Sequence, residues 1–243
     1  MGNNYEAWMD YESKWIAGYR RKLMRTTTHI TIPITLGFLT LFMGAVAFVD
    51  RMSTEDAFYG AVGGFFCGAV VCGVIYLCLR FGLRDGKYRR LVRQAVKTAG
   101  ITEMEREQLG TEMLAARDDS KQRIFFEMVG FGSNHTPARF VLTPHYAYLA
   151  GGYPYAILVR LADLQEIRPG EEQKVAVRRG AQTRGVHTFT LHTIGYYRRD
   201  RADRDLGPAD LPDESMGFFS QEIRDKALSM LRDGTGLVRT SVD

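Results

Sequence analysis

The order of apolar and polar residues predicts two kinds of structure along this chain. Two long apolar runs, His29–Val49 and Ala57–Phe81, lie in its first third, and Arg80 carries the only formal charge inside them. A helix needs about 20 residues to cross a hydrocarbon core about 30 Å thick. Both runs reach that length, and the first has no clear small-residue cleavage site of the kind that ends a signal peptide. We therefore expect a transmembrane hairpin over residues 29–82, with helices at 29–49 and 57–81.

An amphipathic segment precedes this hairpin within residues 1–28. Its aromatic and aliphatic residues recur at roughly helical spacing, with basic residues among them, which predicts a helix. Such a helix lies on the membrane surface, where Trp and Tyr favour the headgroup level, or it packs on the soluble part of the chain. The sequence leaves these two interpretations equally open. The residues of the stripe are Tyr5, Trp8, Trp15, Ile16, Tyr19 and Leu23.

A helical linker is expected to follow the hairpin, over residues 83–121, because charged residues and good helix formers dominate there. Gly100 interrupts the pattern. Thr102 has the features of an N-cap, with acidic residues in the turn that follows it. We expect one helix to end near Ala99 and a second to run from Glu103 to about Leu114.

Short β-branched and aromatic segments, separated by turn residues, predict an antiparallel β domain over residues 122–233. Pro169-Gly170 is one predicted turn, and the Asp-rich segment Asp200–Met216 is expected to be a loop. Ser220–Arg232 has the cap and the apolar stripe of a closing amphipathic helix, and residues 234–243 are expected to form a loose tail. The predicted strands are Arg123–Val129, Arg139–Leu142, Ala147–Leu149, Ile157–Val159, Gln165–Ile167, Lys174–Arg178 and His187–His192.

The segment Phe140–Leu149, followed by Ile157–Val159 and then Leu161, Asp163, Leu164 and Ile167, resembles bacterial two-helix membrane proteins with a cytoplasmic pleckstrin-homology-like (PH-like) domain. The resemblance covers about residues 29–82 and 122–232. It implies an α+β membrane protein, in which a two-helix transmembrane hairpin carries a small antiparallel β domain closed by a C-terminal helix. It carries no catalytic residues. The turn Gly130–Pro137 has no Lys or Arg, unlike the basic first hairpin with which many PH domains bind phosphoinositides.

The net charge of +4 is placed unevenly, because Lys and Arg concentrate on both flanks of the hairpin. The segment between the apolar runs has only Arg51, beside three acidic residues. Cytoplasmic flanks are enriched in Lys and Arg, so we expect a multi-pass protein of the plasma membrane with both termini in the cytoplasm. The flanking residues expected to contact anionic lipid are Arg20, Arg21, Lys22, Arg25, Arg84, Lys87, Arg89 and Arg90.

Gly60, Gly64 and Gly68 recur at every fourth position of the second apolar run. Small residues let helices approach closely in lipid, where association depends on van der Waals contact. The stripe is therefore expected to pack against a helix: the first apolar run, the same helix of a second copy, or another protein. Gly37 and Gly44 in the first run favour packing within the hairpin.

The histidines and the arginine clusters do not predict a catalytic or metal-binding site. His187 and His192, and His135 with His145, are too few and too scattered for zinc, which needs three or four ligands. No catalytic motif, cofactor or metal site is expected. The arginines of two clusters neighbour aspartates or turns and are expected to form solvated loops, not a nucleic-acid surface. They are Arg178, Arg179 and Arg184, and Arg198, Arg199, Arg201 and Arg204.

These patterns favour a non-enzymatic, membrane-anchored interaction or scaffold protein that presents a PH-like domain at the cytoplasmic face. Its partners are membrane lipids and either a second copy or another membrane protein. The alternative is an accessory subunit of a membrane transport, channel or secretion complex, assembled through the glycine-rich second helix. A hydrolase with unrecognised residues ranks third. Cys67, Cys72 and Cys78 all lie in the second run, which fits a reducing compartment for the soluble part.

Overall fold

The protein divides into two compact units that do not coincide with the segments expected from the sequence. The first unit combines Met1–Glu12 with Arg89–Asp243, and the second is Ser13–Tyr88. The segment expected as one N-terminal helix, 1–28, therefore belongs partly to each. The computed structural model describes residues 3–49, 53–82, 85–129, 135–151, 155–179, 184–199 and 210–237.

The second unit holds two apolar helices. Helix continues from Asn4 to Val49 without a break, so no helix begins at residue 29. A π-helical segment precedes Pro33, which cannot donate a backbone hydrogen bond, and the wider turn there accommodates the proline. Two helices, Asn4–Val46 and Thr54–Phe81, are long and apolar enough to cross a membrane. The elements are α1 (Asn4–Thr26), the π-helical segment (Thr27–Thr31), α2 (Ile32–Val49) and α3 (Thr54–Gly82).

Two further helices, α4 (Asp85–Thr98) and α5 (Glu103–Ala116), occupy the segment expected as a linker. Thr102 begins α5 with a capping box, in which its hydroxyl accepts from the Glu105 backbone N–H and the Glu105 carboxylate accepts from the Thr102 N–H at 2.8 Å. The two helices are not the linker that the sequence predicted, because their apolar residues are buried in the first unit. The buried residues include Val92, Ala95, Val96, Leu109 and Met113.

In the described part of the first unit, the remaining elements are seven antiparallel strands, arranged in two sheets, and one helix. Sheet A has the strand order β1-β2-β3-β4, and sheet B has the order β5-β6-β7. The mixed α+β class with antiparallel sheets is as expected. The elements are β1 (Arg123–Val129), β2 (His135–Leu142), β3 (Tyr146–Gly151), β4 (Tyr155–Arg160), β5 (Leu164–Arg179), β6 (Arg184–Arg198), β7 (Glu214–Phe218) and α6 (Gln221–Thr235).

Two predictions for sheet B were wrong. No turn forms at Pro169-Gly170, and β5 is one strand of 16 residues. Pro169 is tolerated because β5 lies at the edge of its sheet, where a missing N–H costs no ladder bond. The end of the predicted loop Asp200–Met216 forms β7, which pairs with His192–Tyr196. The residues of β7 do not alternate between apolar and polar, so the strand forms because it pairs with β6. Residues 200–209 lie outside the described ranges.

The main core lies between the two sheets and α6. Ser220 caps α6 by accepting from the Ile223 N–H at 3.5 Å, and its stripe of Ala227, Leu228 and Leu231 is buried, as the sequence predicted. The first residues of the expected loose tail belong to the fold, because α6 runs to Thr235 and the Leu237 carbonyl accepts from the Ile167 N–H at 3.1 Å. Residues 238–243 lie outside the described ranges. Large core residues include Phe140, Leu149, Ile194, Tyr196 and Phe218.

Strand β3 is buried along its whole length. Successive side chains of a strand point to opposite faces of the sheet, so both faces of sheet A are covered here. Ala147 and Leu149 belong to the core that sheet B closes. Tyr146 and Tyr148 face the other way and are also buried, and the cover on that face is helical.

Candidate functional site: the N-terminal helix on sheet A

The start of α1 carries a continuous buried stripe. Tyr5, Trp8, Met9 and Glu12 are spaced for one helix face, and each is at most 7% exposed. The Trp8 ring meets the Tyr148 ring edge-on, with centroids 5.6 Å apart. Of the two interpretations of the amphipathic segment, these first residues fit the one in which the helix packs on the β domain.

Glu12 is the polar centre of this contact. One carboxylate oxygen accepts from the Trp8 indole N–H at 2.9 Å and forms an ion pair with Arg139 of β2. The other oxygen accepts from the Tyr148 hydroxyl at 3.1 Å. Glu12 is 1% exposed and Arg139 is 3% exposed. A buried ion pair needs further hydrogen bonds to satisfy its remaining polar groups, and the Trp8 indole and the Tyr148 hydroxyl supply two of them to Glu12.

Aromatic rings complete the surroundings of this ion pair. The Arg139 guanidinium lies over the Tyr11 ring, 5.0 Å from its centroid, and Arg117 lies over the same ring at 5.5 Å. A cavity of about 10 Å³ borders the pair, between α1, α5 and the first two strands. That volume suits about one water molecule and no organic ligand. The contacts of Glu12 and Arg139 therefore hold the start of α1 on sheet A.

Helix α5 holds the first turn of α1 by an unusually close approach. A Cβ atom placed on Gly110 would lie 2.4 Å from the backbone N of Tyr5, closer than a real Cβ can come. The adjacent turns of α5 supply polar contacts: the Glu107 carboxylate accepts from the Asn4 N–H at 3.0 Å, and the Thr111 hydroxyl accepts from the Asn4 amide at 2.9 Å. Only glycine allows the two backbones to meet here.

The same helix is fastened to sheet A at two points. The Glu112 carboxylate contacts the His145 ring at 2.6 Å, and Glu105 pairs with Arg160 at 2.6 Å. Burial acts to raise the pKa of Glu112, but hydrogen bonds from Thr143, His145 and Gln108 outweigh it and hold that pKa below its usual value. Because the carboxylate is the favoured form of Glu112, this contact strengthens as the carboxyl group ionises.

In the hairpin unit, Gly64 and Gly68 both face α2. A Cβ atom on Gly64 would lie 2.6 Å from the Leu39 carbonyl oxygen, and one on Gly68 would make ordinary contact with Leu39 at 3.5 Å. Gly60 lies one turn earlier on α3. Gly63, the neighbour of Gly64, has no atom within 4 Å of such a Cβ. Of the predicted stripe, Gly64 and Gly68 therefore pack against α2 within the hairpin.

The basic residues expected to contact lipid are not equivalent. Arg21, Lys22, Arg25, Lys87 and Arg90 are exposed, and Arg20 is half-buried. Arg89 forms an ion pair with Asp10 of α1, which gives it a structural partner within the first unit. Arg84 lies outside the described residues.

The histidines of the soluble part, where they are described, have carboxylate partners. His145 contacts Glu112, and His192 contacts Glu171 at 3.1 Å. The side chains of His135 and His187 lie outside the described part, as do those of Arg178, Arg179 and Arg184.

Sequence reasoning missed Glu12 and Arg139. Glu12 lies four residues after Trp8, on the apolar face of the helix. A charged residue at such a position indicates a buried ionic partner, and this was the signal in the sequence. Its partner is 127 residues away along the chain, and no local pattern in β2 marks Arg139 as buried.

Comparison of the chain with protein-family models, with curated proteins and with solved structures finds no match.

Proposed function

We propose that this chain is a non-enzymatic scaffold protein of the membrane, which presents a PH-like interaction domain at the cytoplasmic face. The observation that carries the proposal is that one chain combines two helices long and apolar enough to cross a membrane with a separate compact unit that holds two antiparallel sheets. The first residues of α1 are also built into the β domain through Glu12 and Arg139.

The strand arrangement supports the PH-like assignment. Antiparallel strands come first and a helix closes the domain, as the resemblance implies, and the strands form one four-stranded and one three-stranded sheet. Residues from both sheets and from α6 share one core. The segment that carries the resemblance, Phe140–Leu149, forms the end of β2, a turn at Thr143–His145 and most of β3.

The charge pattern supports the orientation. Basic residues flank the two apolar helices on the sides of α1 and α4. At the opposite ends, three acidic residues accompany Arg51: Asp50 after α2, and Glu55 and Asp56 in the first turn of α3. Positively charged flanks remain in the cytoplasm. The β domain and both termini would then share the cytoplasmic side, and the exposed residues Arg21, Lys22, Arg25, Lys87 and Arg90 would meet anionic lipid there.

The helical cover on sheet A bears on how partners are recognised. Tyr146 and Tyr148 are buried under the protein's own helices, so a partner has to use sheet B, α6 or the loops. The buried charges of the site are held by hydrogen bonds, and the adjacent cavity suits about one water. This favours a structural role for Glu12 and Arg139 over a catalytic one.

The accessory-subunit alternative rests on the glycine stripe of α3. Gly64 and Gly68 contact α2 of the same chain, which removes them from the surface that would meet another membrane protein. This observation favours the scaffold over the alternative.

The test is to isolate the full chain from membranes that have been washed with alkaline carbonate and to record its native mass spectrum in lipid nanodiscs. The proposal expects the chain in the washed membrane fraction, with another protein or a second copy bound in a fixed ratio. Recovery of the chain in the soluble wash would contradict it. Recovery as a monomer that binds only lipid would contradict the scaffold role.

A further inference from the structure

The outer edge of β5 presents backbone hydrogen-bonding groups that point away from its own sheet. The Ile167 N–H donates to Leu237, and Tyr196, which lies opposite Ile167 on β6, turns its carbonyl to Asp213 at 3.0 Å. Backbone groups alternate along a strand, and the register of β5 with β6 runs without a shift from Glu166 to Arg179. The N–H and C=O groups of every second residue therefore face outward: Glu171, Gln173, Val175, Val177 and Arg179.

Strand β7 covers only part of sheet B. It pairs with His192–Tyr196 of β6, so the outer halves of β5 and β6 form a two-stranded ribbon. Among the residues that the structure describes, no strand pairs with the outer edge of β5. Such an edge is a template for a further strand, and a two-stranded ribbon is marginally stable by itself.

The sequence of this edge, Glu171–Arg179, reads Glu-Glu-Gln-Lys-Val-Ala-Val-Arg-Arg. We propose that it pairs in antiparallel orientation with the same segment of a second copy, about a two-fold axis at Val175. Glu171 of each copy then stands opposite Arg179 of the other, and Glu172 stands opposite Arg178. Opposite charges at directly paired positions stabilise antiparallel strands, and like charges destabilise them. The segment is thus complementary to itself in one register.

Other pairings of the same segment are less favourable. A parallel arrangement in register sets Glu opposite Glu and Arg opposite Arg. An antiparallel arrangement shifted by two residues leaves Glu171 and Arg179 without an opposite charge across the strand pair. Charges on an edge strand usually prevent association, but here the acidic half and the basic half make one symmetric association favourable. Within one copy Glu171 contacts His192 at 3.1 Å and Glu172 contacts Lys174 at 2.5 Å, and both glutamates remain partly exposed.

The inference goes beyond the proposed scaffold and does not depend on insertion into a membrane. Two copies anchored in one bilayer would nevertheless meet at a raised effective concentration. The result is a continuous antiparallel sheet across two molecules, with the helical cover of sheet A left untouched in each.

Charge reversal tests the pairing in the full chain. The double variant Glu171→Arg/Glu172→Arg and the double variant Arg178→Glu/Arg179→Glu should each dimerise at least about tenfold more weakly than the parent in sedimentation equilibrium in detergent. An equimolar mixture of the two should form a heterodimer, because every paired position is again complementary. The mixture also shows that both variants are folded. A parent that remains monomeric, alone or with a different protein bound, would overturn the proposal, and so would a dimer that both variants leave unchanged.

Disulfide trapping tests the register. In a background with Cys67, Cys72 and Cys78 replaced by Ser, Val175→Cys should form a disulfide with itself, because directly paired Cα atoms lie about 5.5 Å apart. Gln173→Cys alone should not, since the two copies of residue 173 are about 13 Å apart along the strands. Mixing Gln173→Cys with Val177→Cys should yield a mixed disulfide. Equal trapping of Val175→Cys and Gln173→Cys, or trapping of neither, would overturn this register.

Discussion

Among the described residues, Gly110 and Gly64 each allow two helices to approach closely, and the chemical surroundings of the two contacts differ. Gly110 of α5 meets the backbone of α1 in the first unit, and Gly64 of α3 meets the backbone of α2 in the hairpin. Around Gly110 the contact is completed by Asn4 hydrogen bonds and, two turns further along α1, by the Glu12–Arg139 pair. Around Gly64 the neighbours are Leu39 and Met43, and the contact is apolar.

The proposed function, in which the α1 contact lies in water and the hairpin contact in lipid, accounts for this difference. In water, an apolar stripe provides the driving force, and polar contacts fix which surfaces meet and in which register. In lipid the hydrophobic effect does not drive helices together. Association depends on van der Waals contact, which small residues make possible by allowing the helices to pack closely. The comparison predicts that polar substitutions matter most at the α1 contact and that steric ones matter at both.

The largest effect is expected from Glu12→Ala. It leaves Arg139 buried without its carboxylate partner, which should lower the free energy of unfolding of the first unit by about 3–5 kcal/mol. Trp8 fluorescence in a Trp15→Phe background reports the contact directly. Glu6→Ala is the matched control: Glu6 lies on the same helix in an exposed pair with Arg93 at 3.8 Å, and its loss should cost less than about 1 kcal/mol. Equal effects of the two substitutions would show that the buried pair does not hold α1.

Gly110→Ala should come next. Its Cβ would lie 2.4 Å from the Tyr5 backbone N, and because a backbone atom cannot swing aside, we expect a loss of about 1–3 kcal/mol and a change in Trp8 fluorescence. Gly18→Ala in α1 is the control, since no atom lies within 4 Å of its Cβ. The control should be neutral or stabilising, because Ala favours helix over Gly. If Gly110→Ala behaved like the control, the close approach of α5 to α1 would be refuted.

A smaller effect of about 1–2 kcal/mol is expected for Gly64→Ala in the hairpin. The new Cβ would lie 2.6 Å from the Leu39 carbonyl oxygen and 2.8 Å from the Met43 Cβ, which are slightly longer distances than those at Gly110, and a small shift of α3 away from α2 would relieve them. The readout is alkylation of Cys72, which is buried beside the Ile32 carbonyl, in a Cys67→Ser/Cys78→Ser background. Alkylation in detergent should become faster in Gly64→Ala and stay unchanged in Gly63→Ala. The same rate in both variants would argue against packing of α3 on α2 through Gly64.

The sequence could predict the elements of this fold better than the contacts between them. The apolar runs, the Thr102 N-cap and the stripe of α6 are local patterns, and all three appear in the structure. Strand β7 and the unbroken β5 were missed because partner strands determine them. The Glu12–Arg139 contact was missed because its two residues lie 127 positions apart, one in α1 and one in β2, and because charged residues are usually exposed to solvent.

The smallest effect concerns pH. The pKa of Glu112 is held below its usual value in the folded protein, so the stabilisation it provides is complete above about pH 4.5 and is lost as the pH falls through the folded pKa. Thermal unfolding of the first unit between pH 6 and pH 3.5 should therefore show a fall in midpoint at the acid end. Glu112→Gln should lower the midpoint at pH 6 and flatten this fall. A profile of unchanged steepness would exclude Glu112 as a source of the acid sensitivity.

The most direct test of a membrane hairpin with a cytoplasmic β domain is cysteine labelling in intact cells. In the background with all three native cysteines replaced by Ser, one chain carries Ser53→Cys, just before α3, and another carries Asp225→Cys, on the exposed side of α6. A membrane-impermeant maleimide should label Ser53→Cys in intact cells and Asp225→Cys only after the membrane is permeabilised. Labelling of Asp225→Cys in intact cells, with Ser53→Cys protected, would contradict the account.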